Sequence, residues 1–124
     1  WDVQYQNWST PRAATELLFK FKNKKILTST HEYLWEVMTE TKTGPKRLKG
    51  LLPKGTEVAH KTGTGPENKE GMTSATNDIG IVVLPNGNSF AIAVFVSDSY
   101  ETMETNEEII AKISKAAYDY FMNM

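Results

Sequence analysis

Several things are missing from this 124-residue sequence, and each absence excludes a class of protein. There is no cysteine, which excludes disulfide bonds and thiolate metal sites. The formal charge is only −1, so the chain lacks the basic character that nucleic-acid binding requires. No apolar run is long enough to span a membrane. We therefore expect a single globular unit with neither a nucleic acid nor a membrane as its partner.

The chain is also poor in histidine, with only His31 and His60. These two residues lie too far apart in the sequence to form a metal-binding pair at the usual spacing. His31 falls in the first turn of a predicted helix, where we expect a solvated polar side chain. The sequence therefore predicts no metal and no cofactor.

Three helices are predicted by apolar residues at helical spacing. Thr10 offers an N-cap oxygen to a helix over Pro11 to Phe21, because proline suits the first helical position. The pair Ser29–Glu32 has the pattern of a capping box and predicts a second helix, which ends at Gly44. The pair Thr105–Glu108 has the same pattern and predicts a closing helix. The apolar stripes expected to be buried are Leu17, Leu18 and Phe21, then Leu34, Val37 and Met38, then Ile109, Ile110, Ile113, Ala116, Ala117 and Tyr120.

Three strands are predicted in the second half of the chain. The first runs from Glu57 to Thr64. Two apolar, β-branched runs follow, Ile79 to Leu84 and Phe90 to Val96, and the turn residues Pro85 to Asn88 between them predict a hairpin. Runs that are apolar throughout are typical of strands buried on both faces, which need helices on each side of the sheet.

The triplet Lys61-Thr62-Gly63 is the best candidate for a functional site. The same triplet occurs at residues 42–44, where it is followed by Pro45 and is interpreted as the end of a helix. The second copy instead ends a predicted strand and continues into Gly65. Glycines at 63 and 65 would let a ligand lie flat along the backbone, and Lys61 would direct its ammonium group at an anion.

Four segments in this order resemble the C-terminal part of a class A serine β-lactamase, and the resemblance covers essentially the whole chain. The first is also similar to an extended-spectrum subgroup. The segments are VQYQNW at 3–8, TGPKRL at 43–48, AHKTGTG at 59–65 and ATNDIG at 75–80.

The resemblance implies an α+β fold in which helices flank a five-stranded antiparallel sheet, beside a separate all-helical region. This chain would carry the last three strands, the C-terminal helix and two preceding helices. Residues 1–124 are thus expected to be a C-terminal fragment of a β-lactamase-like domain. The chain opens without a signal-peptide pattern, so any export signal would lie upstream or have been removed.

Two catalytic motifs of the family do not occur in this sequence. None of its serines has a lysine three positions later, so the Ser-x-x-Lys nucleophile is missing. The Glu-x-x-Leu-Asn motif that positions the deacylating water is also missing, and by resemblance the chain begins just after it. Ser97-Asp98-Ser99 is similar to the family's Ser-Asp-Asn, but it lies after the Lys-Thr-Gly strand rather than before it, at the end of a strand, so it is given no role. We expect the isolated chain to be inactive.

The resemblance assigns roles to five residues. Thr64 would supply one backbone N–H of the oxyanion hole, while its carbonyl receives the amide side chain of the substrate. Lys61 would provide positive charge near the substrate carboxylate, and Thr62 would donate its hydroxyl to the same group. Gly63 would keep the approach clear. Arg47, which by itself would be interpreted as a surface charge, matches a guanidinium that some class A enzymes place behind this strand, and it would help Lys61 to bind the substrate carboxylate.

Two other functions remain open from the sequence. A non-catalytic module related to penicillin-binding proteins could bind β-lactams or peptidoglycan with the same strand, and a purely structural domain could carry the triplet by accident. The expected partners are a β-lactam antibiotic, and either the N-terminal part of the same enzyme or a second copy paired through the strand Phe90 to Val96. The family resemblance implies a periplasmic or secreted location.

Overall fold

The computed structural model describes all 124 residues. Its elements, after a short 3-10 helix at Asp2–Tyr5, are α1 (Pro11–Lys22), α2 (His31–Thr39), β1 (Val58–Thr64), β2 (Thr73–Val83), β3 (Ser89–Ser99) and α3 (Met103–Met122). The strands form one antiparallel sheet in the order β1-β2-β3. The predicted α+β fold, with three strands and three helices, is confirmed.

Helices cover both faces of the sheet. Ile110 and Tyr118 of α3 pack in one core cluster with strand residues that include Val82 and Ile92. On the opposite face, Leu18 and Phe21 of α1 pack with a strand isoleucine and with part of α2. Burying a large aliphatic side chain such as Ile110, which is fully inaccessible, stabilises a fold by about 1.5–3 kcal/mol. The expectation that the hairpin strands are buried on both faces is confirmed.

The hairpin between β2 and β3 fixes the register of the sheet. Leu84 N donates to Asn88 O at 2.7 Å, and Gly87 N donates to Leu84 O at 2.9 Å. Gly87 has φ +86°, which is a backbone conformation that a side chain would strain. The turn predicted at Pro85 to Asn88 is therefore present, and it aligns Val82 with Phe90.

The predicted helix starts are right for one helix and wrong for two. In α1, Thr10 Oγ1 accepts a hydrogen bond from Ala13 N at 3.1 Å, as expected. In α2 the N-cap is Thr30, which makes no side-chain cap, so the Ser29–Glu32 box is wrong. That helix ends at Thr39, and Gly44 with φ +59° belongs to the next turn.

The start of α3 is also corrected. Thr102 is the N-cap, and its hydroxyl accepts a hydrogen bond from Thr105 N at 3.1 Å. The Thr105–Glu108 capping box is therefore wrong by one turn. The local pattern favoured the wrong threonine, because Thr105 has a glutamate three positions later and Thr102 has only Thr105 there. The end of β3 at Ser99 leaves only a short connection to the helix.

The buried faces of the helices differ in part from the predicted stripes. In α3 the buried residues are Asn106, Ile110, Ala111, Ser114 and Tyr118. In the same helix, Ile109, Ile113 and Tyr120 are 38%, 46% and 64% exposed. The helix carries apolar residues on two faces, and only one of them packs against the sheet. Two residues predicted to be buried in the first two helices, Leu17 and Val37, are exposed for the same reason.

Two further expectations are corrected by contacts between elements. Strand β2 begins at Thr73 rather than Ile79, because its polar first half pairs with both neighbouring strands. His31 is buried rather than solvated, and its ring lies 4.6 Å from the ring of Phe21 in a tilted stack. Its first-turn position in α2 therefore faces α1 instead of water.

Candidate functional site

The candidate site lies at the free edge of β1. Gly65 N donates to Ala75 O at 2.8 Å, which places the odd-numbered residues of β1 in hydrogen bonds with β2. The backbone groups of the even-numbered residues then point away from the sheet. One of them, His60 O, accepts the hydroxyl of Thr41 at 2.8 Å. Farther along, Thr64 is exposed, so its N–H and C=O face solvent at the edge where a substrate could pair.

The predicted triplet lies on this edge. Lys61 and Gly63 are exposed, and Thr62 is half-buried. Lys61 Nζ donates to Thr62 O at 2.7 Å, so the ammonium group is held at the outer side of the strand. Lysine, threonine hydroxyl and outward backbone N–H groups therefore come together along one stretch of β1.

Arg47 lies behind the strand, as the resemblance implied, and it is only 5% exposed. Nη1 donates to Gly63 O at 3.0 Å and to Asn77 O at 2.9 Å. Nη2 donates to Thr64 Oγ1 at 2.8 Å, and Nε donates to Glu107 Oε2 at 3.0 Å. The interpretation of Arg47 as a surface charge is thus excluded, and its guanidinium group joins β1, β2 and α3.

These contacts define what Arg47 can do. Its N–H groups are directed at protein acceptors, so the guanidinium braces the strand rather than facing the open edge. By donating to Thr64 Oγ1, it also occupies a lone pair of that hydroxyl and leaves the hydroxyl hydrogen free to be donated elsewhere. A second hydroxyl, Thr62 Oγ1, lies 2.7 Å from Thr43 Oγ1, so the two copies of the triplet meet in space.

The glycines of the site differ in what surrounds them. A Cβ on Gly63 would meet nothing nearer than Asn77 Cβ at 3.8 Å, which leaves open space above the strand. A Cβ on Gly65 would collide with Ser74 Oγ. Packing within the chain therefore requires a glycine at 65 but not at 63, so the glycine at 63 leaves room for something outside the chain.

A buried pair beneath the strand was missed by the sequence analysis. His60 Nδ1 lies 2.9 Å from Asp78 Oδ2 and 3.0 Å from Oδ1, and both residues are fully inaccessible. Asp78 Oδ2 also accepts a hydrogen bond from Leu48 N at 3.2 Å. The sequence signal that could have revealed this pair is Asp78, an acidic residue directly before the apolar run of β2, because a buried charge requires a partner.

The N-terminal segment approaches the end of β3 on the other side of the sheet. Tyr5 donates its hydroxyl to Asp98 Oδ1 at 2.6 Å. This hydrogen bond, followed by desolvation and by the charge of Asp98, raises the pKa of Tyr5 above its ordinary value. The segment borders a groove of about 890 Å³ that is also lined by Trp8, Asn77 and Phe95.

No three histidine, cysteine or acidic side chains are grouped so that they could hold a metal ion. No helix combines the length and apolar character needed to cross a bilayer.

Comparison with known proteins decides the family. A model of the beta-lactamase enzyme family matches residues 3–121. The chain belongs to the beta-lactamase enzyme family. A class A β-lactamase from Bacteroides cellulosilyticus is 44% identical over 95% of this chain, with a TM-score of 0.90. It is 55% identical to the extended-spectrum β-lactamase PER-1 of Pseudomonas aeruginosa over 95% of its own length. The crystal structure of the TLA-1 extended-spectrum β-lactamase is 59% identical over 98% of this chain, with a TM-score of 0.95. The resemblance found in the sequence is confirmed.

The same comparisons show what share of the relatives' length this chain covers. It spans 38% of the length of PER-1 and 44% of the TLA-1 chain. A structure of PBP-A, described as an acyl-enzyme complex with penicillin G, is similar over 99% of this chain at 28% identity and a TM-score of 0.80. The fold is therefore shared by β-lactamases and by a protein named as penicillin-binding.

Proposed function

We propose that this chain is the substrate-binding half of a serine β-lactamase, which hydrolyses the β-lactam amide through an acyl-enzyme. The observation that carries the proposal is the edge of β1, where Lys61 and the outward N–H of Thr64 are exposed while Arg47 supports the strand from behind. Residues 1–124 would be the C-terminal part of the catalytic domain.

The roles proposed for the site residues come from the family resemblance, and their positions support them. Thr64 would give one backbone N–H to the oxyanion that develops when the lactam carbonyl is attacked, and the attacking serine would provide the other. Lys61 and the hydroxyl of Thr62 would bind the substrate carboxylate. Arg47 would act through Thr64, because its guanidinium reaches the hydroxyl and the carbonyls of the strand. The substrate would lie along β1 as an added strand, over the open space at Gly63.

Because the sequence has no Ser-x-x-Lys motif, this chain would not complete the reaction alone. Its partners would be a β-lactam and the N-terminal part of the enzyme, or a second copy of the chain. No cofactor and no metal enters this mechanism. Export to the periplasm or the medium would place the enzyme where it meets antibiotics.

A non-catalytic β-lactam- or peptidoglycan-binding module is the second candidate. It is favoured by the same missing nucleophile and by the structural similarity to PBP-A. Such a module would bind without turnover, whatever protein segment is joined to it.

A chimera tests the proposal directly. We expect nitrocefin hydrolysis when this chain replaces the matching segment of the TLA-1 enzyme, or when the N-terminal part of TLA-1 is added to it in solution. The chain alone should show none. A folded chimera that binds penicillin but hydrolyses no β-lactam would contradict the enzyme and support the binding module. Robust turnover by the chain alone would contradict the proposal that this chain provides only the substrate-binding half of the enzyme.

The open space at Gly63 gives a second prediction. Gly63→Ala should not destabilise the fold, because its Cβ meets no atom within ordinary contact except Asn77 Cβ at 3.8 Å. It should lower kcat/KM of the chimera, since a displacement of the bound substrate by about 1 Å can cost about 100-fold.

Gly65→Ala is the matched variant for this prediction. Its Cβ would collide with Ser74 Oγ, so it should lower the free energy of unfolding by about 1–3 kcal/mol. Thermal unfolding and steady-state kinetics measure the two effects separately. If Gly63→Ala binds and hydrolyses nitrocefin normally, no ligand lies over this glycine.

A further inference from the structure

Behind the site strand, His60 and Asp78 form a contact that none of the proposed catalytic roles uses. Both side chains are fully inaccessible, and His60 immediately precedes Lys61 on β1. A buried carboxylate is costly unless it is hydrogen-bonded, and Asp78 has two donors, His60 Nδ1 and Leu48 N. We assign the ring proton to Nδ1, because this nitrogen faces both oxygens of Asp78 whereas Nε2 has no hydrogen-bond partner.

Space for the histidine is provided by the facing strand. Gly80 is the residue opposite His60 in the register of β1 and β2. A Cβ on Gly80 would lie 2.8 Å from His60 Cβ and 2.7 Å from Ala59 O, which is closer than real Cβ atoms approach. A larger residue at 80 would therefore push β1 away at His60.

The pair is connected to the second support of the strand. Asp78 accepts a hydrogen bond from the backbone N–H of Leu48. The preceding residue, Arg47, donates hydrogen bonds to Gly63 O and Thr64 Oγ1. Strand β1 is thus held from behind at two points, His60 and Gly63–Thr64. Both supports involve the turn that contains Arg47 and Leu48. They lie on either side of Lys61 and Thr62.

We propose that His60 and Asp78 are a positioning pair that holds Lys61 and Thr64 in the geometry that binds and polarises the β-lactam. This inference rests on the proposed function, because it assigns the pair to the same site. Neither residue touches the substrate. They act by fixing β1 against the turn that carries Arg47.

The test compares two amides at position 60 in the active TLA-1 chimera. The side-chain NH₂ of asparagine can replace the donor at Nδ1, whereas the NH₂ of glutamine lies one bond farther out. His60→Asn should therefore keep kcat/KM within about threefold, and His60→Gln should lower it by about 100-fold, the loss expected for a displacement of about 1 Å. Equal kcat/KM for the two variants would overturn the proposal.

Stability is controlled with residues outside the pair. Leu18→Ala destabilises the core on the opposite face of the sheet and should leave kcat/KM unchanged below its unfolding temperature. Ser114→Ala removes a buried hydroxyl that has no hydrogen-bond partner and should also leave kcat/KM unchanged. If both controls lose as much activity as His60→Gln, the effect is general destabilisation and the positioning role is wrong.

A measurement without activity separates this proposal from the proposed function. In the ¹⁵N spectrum of the histidine rings, His60 should carry a slowly exchanging proton on Nδ1. An inactive chimera that shows this proton would contradict the enzyme proposal alone. An active chimera without this proton, or with His60→Gln at full kcat/KM, would overturn the positioning pair alone.

Discussion

Lys61→Ala is expected to abolish most of the activity of a complete enzyme that carries this chain. The ammonium group is exposed at the edge of β1, next to the outward N–H of Thr64, where the substrate carboxylate would bind. Once the bound substrate buries this charge pair, removing one partner costs about 2–5 kcal/mol, which corresponds to a decrease of about 30-fold to 4,000-fold in kcat/KM. Steady-state hydrolysis of nitrocefin by the TLA-1 chimera measures this decrease.

The sequence provides a matched control for this substitution. Lys42 belongs to the first copy of the triplet and is exposed, but it lies in the connection after α2. Lys42→Ala removes the same charge from the same tripeptide and should leave kcat/KM unchanged. If the two lysine variants behave alike, the triplet on β1 is not the anion site.

Arg47→Ala should have a smaller kinetic effect and a larger effect on stability. Its guanidinium is buried against Glu107, whose side chain is 17% exposed, and against two backbone carbonyls. Removing one member of a buried ion pair costs about 3–5 kcal/mol of stability. The free energy of unfolding should therefore fall in the Arg47 variant and remain near its original value in the Lys61 variant. Near-normal kinetics in both would remove the case for this site.

The parts of the fold that the sequence predicted depend on local chemistry. Thr10 and Pro11 begin α1 where expected, and Gly87 forms the hairpin turn, because a cap and a positive φ need only neighbouring residues. The triplet on β1 was identified by its context, since the strand before it and Gly65 after it distinguish it from the copy at 42–44.

The parts that were missed depend on residues far away in the sequence. The first half of β2 was not predicted as a strand, yet it pairs in the sheet and Asp78 in that segment is satisfied by His60, 18 positions away. Arg47 forms an ion pair with Glu107, 60 positions away. Helix α3 has two apolar faces, and only the packed fold determines which of them is buried. Polar residues inside a core are predictable only when their partners are known, and no periodicity reveals those partners.

The free edge of β3 leads to the prediction with the largest expected effect on the isolated chain. β3 is the last strand of the sheet and pairs only with β2. Since Leu84 N donates a hydrogen bond to Asn88 O, the backbone N–H and C=O groups of the even-numbered residues of β3 are directed at β2. The N–H and C=O groups of Ala91, Ala93 and Phe95 then point outward, without a partner in the sheet.

Most of this edge lacks the usual protection against pairing; the exception is its far end, where Asp98 carries a charge and has φ +50°. The segment from Phe90 to Val96 contains no charged residue and no proline. Natural edge strands are kept apart by charges, prolines, bulges or short length, and a long apolar edge recruits another strand. When the chain is made alone, we therefore expect it to dimerise through β3, to bind the N-terminal part of the enzyme, or to aggregate.

Light scattering after size-exclusion chromatography at micromolar concentration measures the association, and amide exchange locates it. Outward amides such as Ala93 should become protected on association, whereas the inward amide of Val94 should be protected in every folded state.

Ala93→Pro removes an outward N–H and should give a folded chain that associates less. Val94→Pro removes an N–H of the β2–β3 ladder and should unfold it. A sharp monomer peak with the Ala91, Ala93 and Phe95 amides all protected would mean that the chain covers this edge itself, which contradicts the sheet order on which the prediction depends.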